Sequence, residues 1–162
     1  MVFRKMRRKK QALSQQEVAD ILHKRTSGVL ALLGDNDYPY AVPISYVYDD
    51  GKIYFHSAKS GHKIDAIQRI TKASFCVIDK DLVIPEEYTT YFRSVIAFGQ
   101  IRVIEDESEK RATIEKLAIK YAPGDTVTNR DNAINREWKP LCMLEMTIDY
   151  VTGKEAIELV KK

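Results

Sequence analysis

Between residues 38 and 48 the chain changes sides at every residue. Tyr40, Val42, Ile44, Tyr46 and Tyr48 fall on one face of an extended segment, and Ala41, Pro43, Ser45 and Val47 on the other. Asp49-Asp50-Gly51-Lys52 follows, a tight-turn sequence, and Ile53-Tyr54-Phe55-His56-Ser57-Ala58 returns. A period of two before a short turn and an extended return predict an antiparallel hairpin. A lone hairpin with one apolar face is not stable in water, so more sheet or helix must cover it. Pro39 and Pro43 bring no N–H donors, so this strand lies at an edge or carries unpaired stretches.

The rest of the chain supplies that cover. A helix is expected over about 15–25, since Ser14 and Glu17 have capping-box spacing and Val18, Ile21 and Leu22 follow at helical intervals. Val29 to Leu33 is a short apolar strand bounded by Gly28 and Gly34, and Gly34-Asp35-Asn36-Asp37 is turn chemistry. A second helix is expected over about 62–70, and strands over 73–78 and 91–104, the latter with Gly99 as a candidate bulge. Residues 79–90 read as acidic and irregular. A third helix spans roughly 107–121, with Ile114, Leu117, Ala118 and Tyr121 as its apolar face. Residues 124–137 read as a polar stretch, leading through Trp138 and Pro140 to a last strand over 141–148. Six strands, mostly antiparallel, with helices at the edges predict an α+β chain whose sheet closes into a closed or split β-barrel, not a doubly wound sheet.

At 162 residues, 44% hydrophobic and 30% charged, the sequence suits one globular domain over 1–162. No run approaches the roughly 20 apolar residues of a membrane helix. Charge is unevenly placed. Six of the first ten residues are basic and none is acidic, against a net charge of +3 for the whole chain, so the body is net acidic. Residues 1–12 thus form a basic arm, read as solvated, as wrapping a neighbouring subunit, or as gripping nucleic acid. The acidic body continues no basic footprint, so nucleic acid is not the expected partner. Polar residues 11–17 follow the arm, so it does not read as a signal peptide. A cytoplasmic, reducing setting is expected; Cys76 and Cys142 form no C-x-x-C pair, and Cys76 sits in an apolar run.

The segment richest in chemistry is His56-Ser57-Ala58-Lys59-Ser60-Gly61-His62-Lys63, which leaves a strand and enters a helix. Free N–H groups and the helix dipole at such a junction favour an anion, Lys59 and Lys63 add charge, and Ser57 and Ser60 add hydroxyl donors. The competing reading is a solvated basic turn. His56 and His62 find no third clear ligand nearby, so no metal site is expected. The hydrolase elbow, the P-loop and the dinucleotide fingerprint are all missing from the sequence.

Four segments together with Thr152-Gly153-Lys154 carry a resemblance. They are Met6-Arg7-Arg8-Lys9, Pro39-Tyr40-Ala41-Val42-Pro43-Ile44-Ser45-Tyr46, Ile53 to Ala58 with Gly61-His62-Lys63, and Tyr91-Phe92-Arg93-Ser94-Val95-Ile96-Ala97-Phe98-Gly99. In order and spacing they resemble the flavin-binding split barrels of the pyridoxamine 5′-phosphate oxidase kind, and within them the 5-nitroimidazole resistance proteins. The resemblance implies a six-stranded split barrel that forms a homodimer with two flavin sites at the subunit interface. It implies that Val42, Pro43, Ile44, Ser45 and Tyr46 lie along the isoalloxazine ring. Ser57, Lys59, His62 and Lys63 would hold the phosphate and ribityl chain, with His56 beside the cofactor. Arg93 and Ser94 would reach the site too, and Trp138 would either stack near the ring from the other subunit or serve as an ordinary interface aromatic.

FMN is the implied cofactor, with FAD an alternative. The flavin would carry the redox chemistry while the protein binds and orients it. His56 is the candidate acid–base catalyst, by its ordinary pKa near 6.5, against a structural role on its strand. Two functions are then in view: a flavin-dependent oxidoreductase of a small molecule, with nitroimidazole reduction the named activity, or a non-catalytic flavin-binding sensor or carrier.

Overall fold

The computed structural model describes residues 1–161. In chain order it contains α1 (Gln15–Lys24), β1 (Ser27–Leu33), β2 (Pro39–Ser45), β3 (Val47–Asp49), β4 (Lys52–Ala58), α2 (His62–Arg69), β5 (Lys72–Ile84), β6 (Thr89–Val103), α3 (Glu107–Tyr121), α4 (Val127–Glu137) and β7 (Leu141–Glu155). The strands form one antiparallel sheet in the order β2-β1-β5-β6-β7-β4-β3. Its two edges, β2 and β3, are consecutive in sequence and separated by Tyr46 alone. Neighbouring Cα atoms are about 3.8 Å apart, so this link forces the edges together at one end and rolls the sheet.

Seven strands therefore replace the six expected, and the described strands do not close into a hydrogen-bonded barrel. The alternating run over 38–48 breaks at Tyr46. That side chain is fully buried, its hydroxyl donates to the Leu22 carbonyl at 2.8 Å, and its own N–H bonds back to Thr26. The expected hairpin turn is present, with Asp50 at φ 45° and Gly51 at φ 77°, the twist a two-residue turn needs.

Two further expectations are corrected. Residues 79–84 continue β5, and 80–84 pair with the start of β6, so 79–90 is the end of a long hairpin, turned through a 3-10 turn at Pro85–Glu87. Residues 127–137 form α4, capped by the Thr126 hydroxyl accepting from the Asn129 N–H. Among its residues only Ile134 is buried, which left no apolar stripe to read. At Gly99 the register shifts as expected, but the unpaired residue is Asp149, on β7.

The main core lies inside the roll. Leu30, Phe55, Phe75, Val77, Val95 and Leu144 pack there against Val18, Ile21 and Leu22 of α1 and Ile64 and Ile67 of α2. Each large apolar side chain so buried contributes about 1.5–3 kcal/mol before the entropy of ordering it is subtracted. A smaller core lies on the outer face of β4 and β7, where Tyr54, Leu141 and Met143 meet Leu117 of α3. The basic arm returns along β7. Leu13 donates to the Gly153 carbonyl at 2.9 Å, and the Phe3 ring stacks on Tyr150 at 5.0 Å.

Candidate functional site

β4 is buried on both faces, and this sorts its last residues. Ile53, Phe55 and Ser57 share the inner face, while Tyr54, His56 and Ala58 share the outer one under α3. His56 is exposed and opens onto an apolar cavity of about 220 Å³ bounded by Ile114, Leu117, Tyr121, Ile134 and Glu137. One imidazole and one carboxylate are thus set in an otherwise hydrocarbon slot.

Ser57, Lys59, His62 and Lys63 gather at the β4–α2 junction. Gly61 caps α2 at φ 132°, a conformation that suits glycine, and no side chain caps the helix. The first N–H groups of α2 therefore have no side-chain partner. His62 points to the β1–β2 turn. Its ring stacks on Tyr40 at 3.9 Å, and Nε2 accepts the Asp35 N–H at 3.2 Å. His62 thus ties the turn to β2.

β2 pairs only with β1. Pro39 and Pro43 have no N–H, so they occupy positions whose peptide groups face away from β1, together with Ala41 and Ser45. Val42 and Ile44 turn their half-buried side chains to the core. Tyr46 belongs wholly to the interior, under the Lys120 ammonium at 4.0 Å. β2 therefore presents an edge of unpaired carbonyls at Pro39, Ala41, Pro43 and Ser45, with N–H groups at Ala41 and Ser45.

Arg93 and Ser94 do not join the residues of the β4–α2 junction within one chain. Ser94 lies opposite Lys154, thirteen residues along β7 from Leu141, which faces Ala58. That is about 40 Å of strand. There Arg93 grips Glu155 at 2.8 Å and approaches Asp79 at 3.8 Å. Asp79 is the bulged residue of β5, and its buried carboxylate also takes Arg25 at 2.7 Å.

Trp138 ends α4, and the Lys110 ammonium sits 4.1 Å above its ring. Lys110 is itself buried, bonds the Trp138 carbonyl at 3.0 Å, and lines a second cavity with Lys59. Burial first, and the Lys59 charge next, pull its pKa below the usual lysine range. It escaped the sequence reading although the signal was present. Positions 110, 114, 117 and 121 share one helical face, and a lysine stands where the stripe calls for an apolar residue. Among the described residues no three histidine, cysteine or acidic side chains converge as a metal site would need, and no helix is long and apolar enough to cross a membrane.

Comparison with known proteins adds the lineage. The fold is similar to that of a candidate 5-nitroimidazole antibiotic resistance protein from Bacteroides thetaiotaomicron, with a TM-score of 0.74 at 22% identity over 89% of this chain and 86% of that one. A conserved hypothetical protein from Mycobacterium tuberculosis superposes with a TM-score of 0.82 at 17% identity, over 98% and 94%. An FAD-binding protein from Mesorhizobium loti gives 0.66 at 21% identity, over 90% and 97%. No curated protein sequence matches the chain. The family model described as pyridoxamine 5′-phosphate oxidase matches residues 14–155, from the cap of α1 to the last residue of β7. The chain belongs to the pyridoxamine 5′-phosphate oxidase family.

Proposed function

We propose that this protein binds a flavin and is a flavin-dependent oxidoreductase of a small molecule. The observation that carries the reading is the pairing of two unsatisfied backbone features: the open, proline-spaced edge of β2 and the uncapped start of α2, joined through the Tyr40–His62 stack. The first offers alternating donors and acceptors, which suit the polar edge of an isoalloxazine ring. The second offers N–H groups and a favourable dipole for a phosphate. Family membership and the FAD-binding relative support the same ligand.

A bound flavin would supply the electron and hydride chemistry. The chain's own residues bind and orient. Ala41 and Ser45 present N–H groups, Lys63 and the α2 N–H groups hold the phosphate, and Ser57 and Lys59 flank it. His56 is placed to exchange a proton with a small molecule lodged in the apolar slot. Nitroimidazole-type compounds are the proposed substrate class, supported by the similar fold of the Bacteroides protein.

A second copy completes the site. Val29, Ile78, Ile96 and Phe98 stand exposed on the outer face of β1, β5 and β6, an apolar surface that a homodimer would cover. Arg93, Ser94 and Trp138 then serve the partner's flavin. Cytoplasmic residence belongs to the same proposal, in keeping with two free cysteines.

The test is anaerobic. The purified protein is expected to be yellow and to release FMN or FAD on heating. Its two-electron reduced form is expected to be reoxidised by a nitroimidazole, with three equivalents of reduced protein consumed for each nitro group carried to the amine. Colourless protein that takes up neither flavin sinks the proposal. Reoxidation by oxygen alone favours a non-catalytic flavin-binding module instead.

A further inference from the structure

A cavity of about 340 Å³ opens between α2 and α3. It lies at the small end of the roughly 300–1,000 Å³ typical of ligand pockets. Lys59 and Lys110 both line it, with Ile64, Gln68, Leu141 and Cys142 around them. Neither lysine pairs with a carboxylate within 4.0 Å among the described residues. The Trp138 carbonyl and ring face occupy two of the three N–H directions of Lys110 and leave one for the cavity. A buried ammonium with no carboxylate in contact, beside a second cation, is an electrostatic deficit that Glu107 offsets only in part. Glu105 and Glu107 also line the cavity, but both are exposed, and the Lys110 pKa stays lowered in spite of Glu107.

We propose that this cavity is an anion subsite that takes a phosphoryl group between Lys110 and Lys59. It adjoins the first turn of α2, so the group can be the terminal part of the flavin cofactor itself, which rests on the flavin reading, or that of a separate phosphorylated molecule. A bound anion would relieve the Lys59–Lys110 repulsion, and it would return Lys110 toward its ordinary pKa by the same coupling.

The experiment titrates the full chain with inorganic pyrophosphate by calorimetry. Binding to wild type is expected. Lys110→Met, which keeps the stem over Trp138, should weaken it by about tenfold or more, the scale of a charge-assisted hydrogen bond. Lys110→Arg should restore most of the affinity, and Glu107→Gln should tighten it. Lys59→Gln, on an exposed turn, reports the same loss should Lys110→Met fail to fold. No binding to wild type either with its flavin or after the flavin is removed, or equal binding to wild type and both lysine variants, overturns the subsite. Competition between pyrophosphate and FAD assigns the phosphoryl group to the cofactor, and simultaneous binding assigns it to a separate ligand. Failure of the flavin reading shows separately, as wild type that takes up no flavin while still binding pyrophosphate.

Discussion

Lys63 stands at the second residue of α2, where backbone donors are free and a phosphate is proposed. Lys63→Ala is expected to weaken FMN binding by roughly 10- to 150-fold while leaving riboflavin affinity unchanged, as fluorescence titration will show. A folding defect would weaken both. Lys120 offers a test by pH. Burial lowers its pKa to about 8, against about 10.4 in an unfolded chain. Between those values the unfolded state holds more protons than the folded one, so stability rises with pH. Burial raises the Tyr46 phenol, which opposes that rise only above about pH 10. Urea midpoints should therefore climb more steeply, or fall less, from pH 8 to 10 in wild type than in Lys120→Met, the difference between the two profiles being the Lys120 contribution. Tyr46→Phe, which orphans the Leu22 carbonyl, should cost about 1 kcal/mol and lower Tm by about 2–4 °C. Legibility at this scale followed sequence distance. The turn over 56–63 could be read because its donors are contiguous. The engagement of Arg93 could not, because Glu155 lies 62 residues away in sequence and reaches it only through the β6–β7 register.

Among the elements, those with a local signature were read correctly. The Ser14–Glu17 capping box forms with both of its hydrogen bonds, and the Asp50-Gly51 turn joins β3 to β4. α4 and the outer part of β5 were not read, because neither buries an apolar stripe. The bulge near Gly99 was half legible: glycine marked the place, but the extra residue sits on a strand whose pairing only the fold reveals. A Cβ at Gly99 would overlap the Thr147 carbonyl oxygen, and a backbone atom cannot swing aside. Gly99→Ala should therefore cost about 1–3 kcal/mol or more. At Gly124, between α3 and α4, a Cβ meets nothing within 4 Å and φ is not positive. Gly124→Ala should stabilise by about 0.4–1 kcal/mol through the unfolded chain. Paired denaturation curves check both signs.

For the molecule as a whole, the rolled sheet leaves part of its outer face, on β1, β5 and β6, apolar and exposed, with only Phe3 of the arm against Phe98. A stable homodimer interface of about 1,200–2,000 Å² would accommodate Val29, Ile78, Ile96 and Phe98. Ile96→Asp is then expected to give a folded monomer by light scattering, with flavin affinity reduced because partner residues are lost. A dimeric Ile96→Asp variant would move the interface elsewhere. The general architecture was legible from alternation and turn spacing, whereas the open seam was not, because it depends on a single residue turning inward. That seam has a consequence for life in a crowded solution. An unpaired strand edge invites other chains to add to it, the first step toward fibrils. Here β3 is only three residues long, and on β2 two of the four outward positions are prolines. An incoming strand would find too short a rail on one side and missing donors on the other. The prolines that leave backbone groups free on this edge also keep it from seeding aggregation.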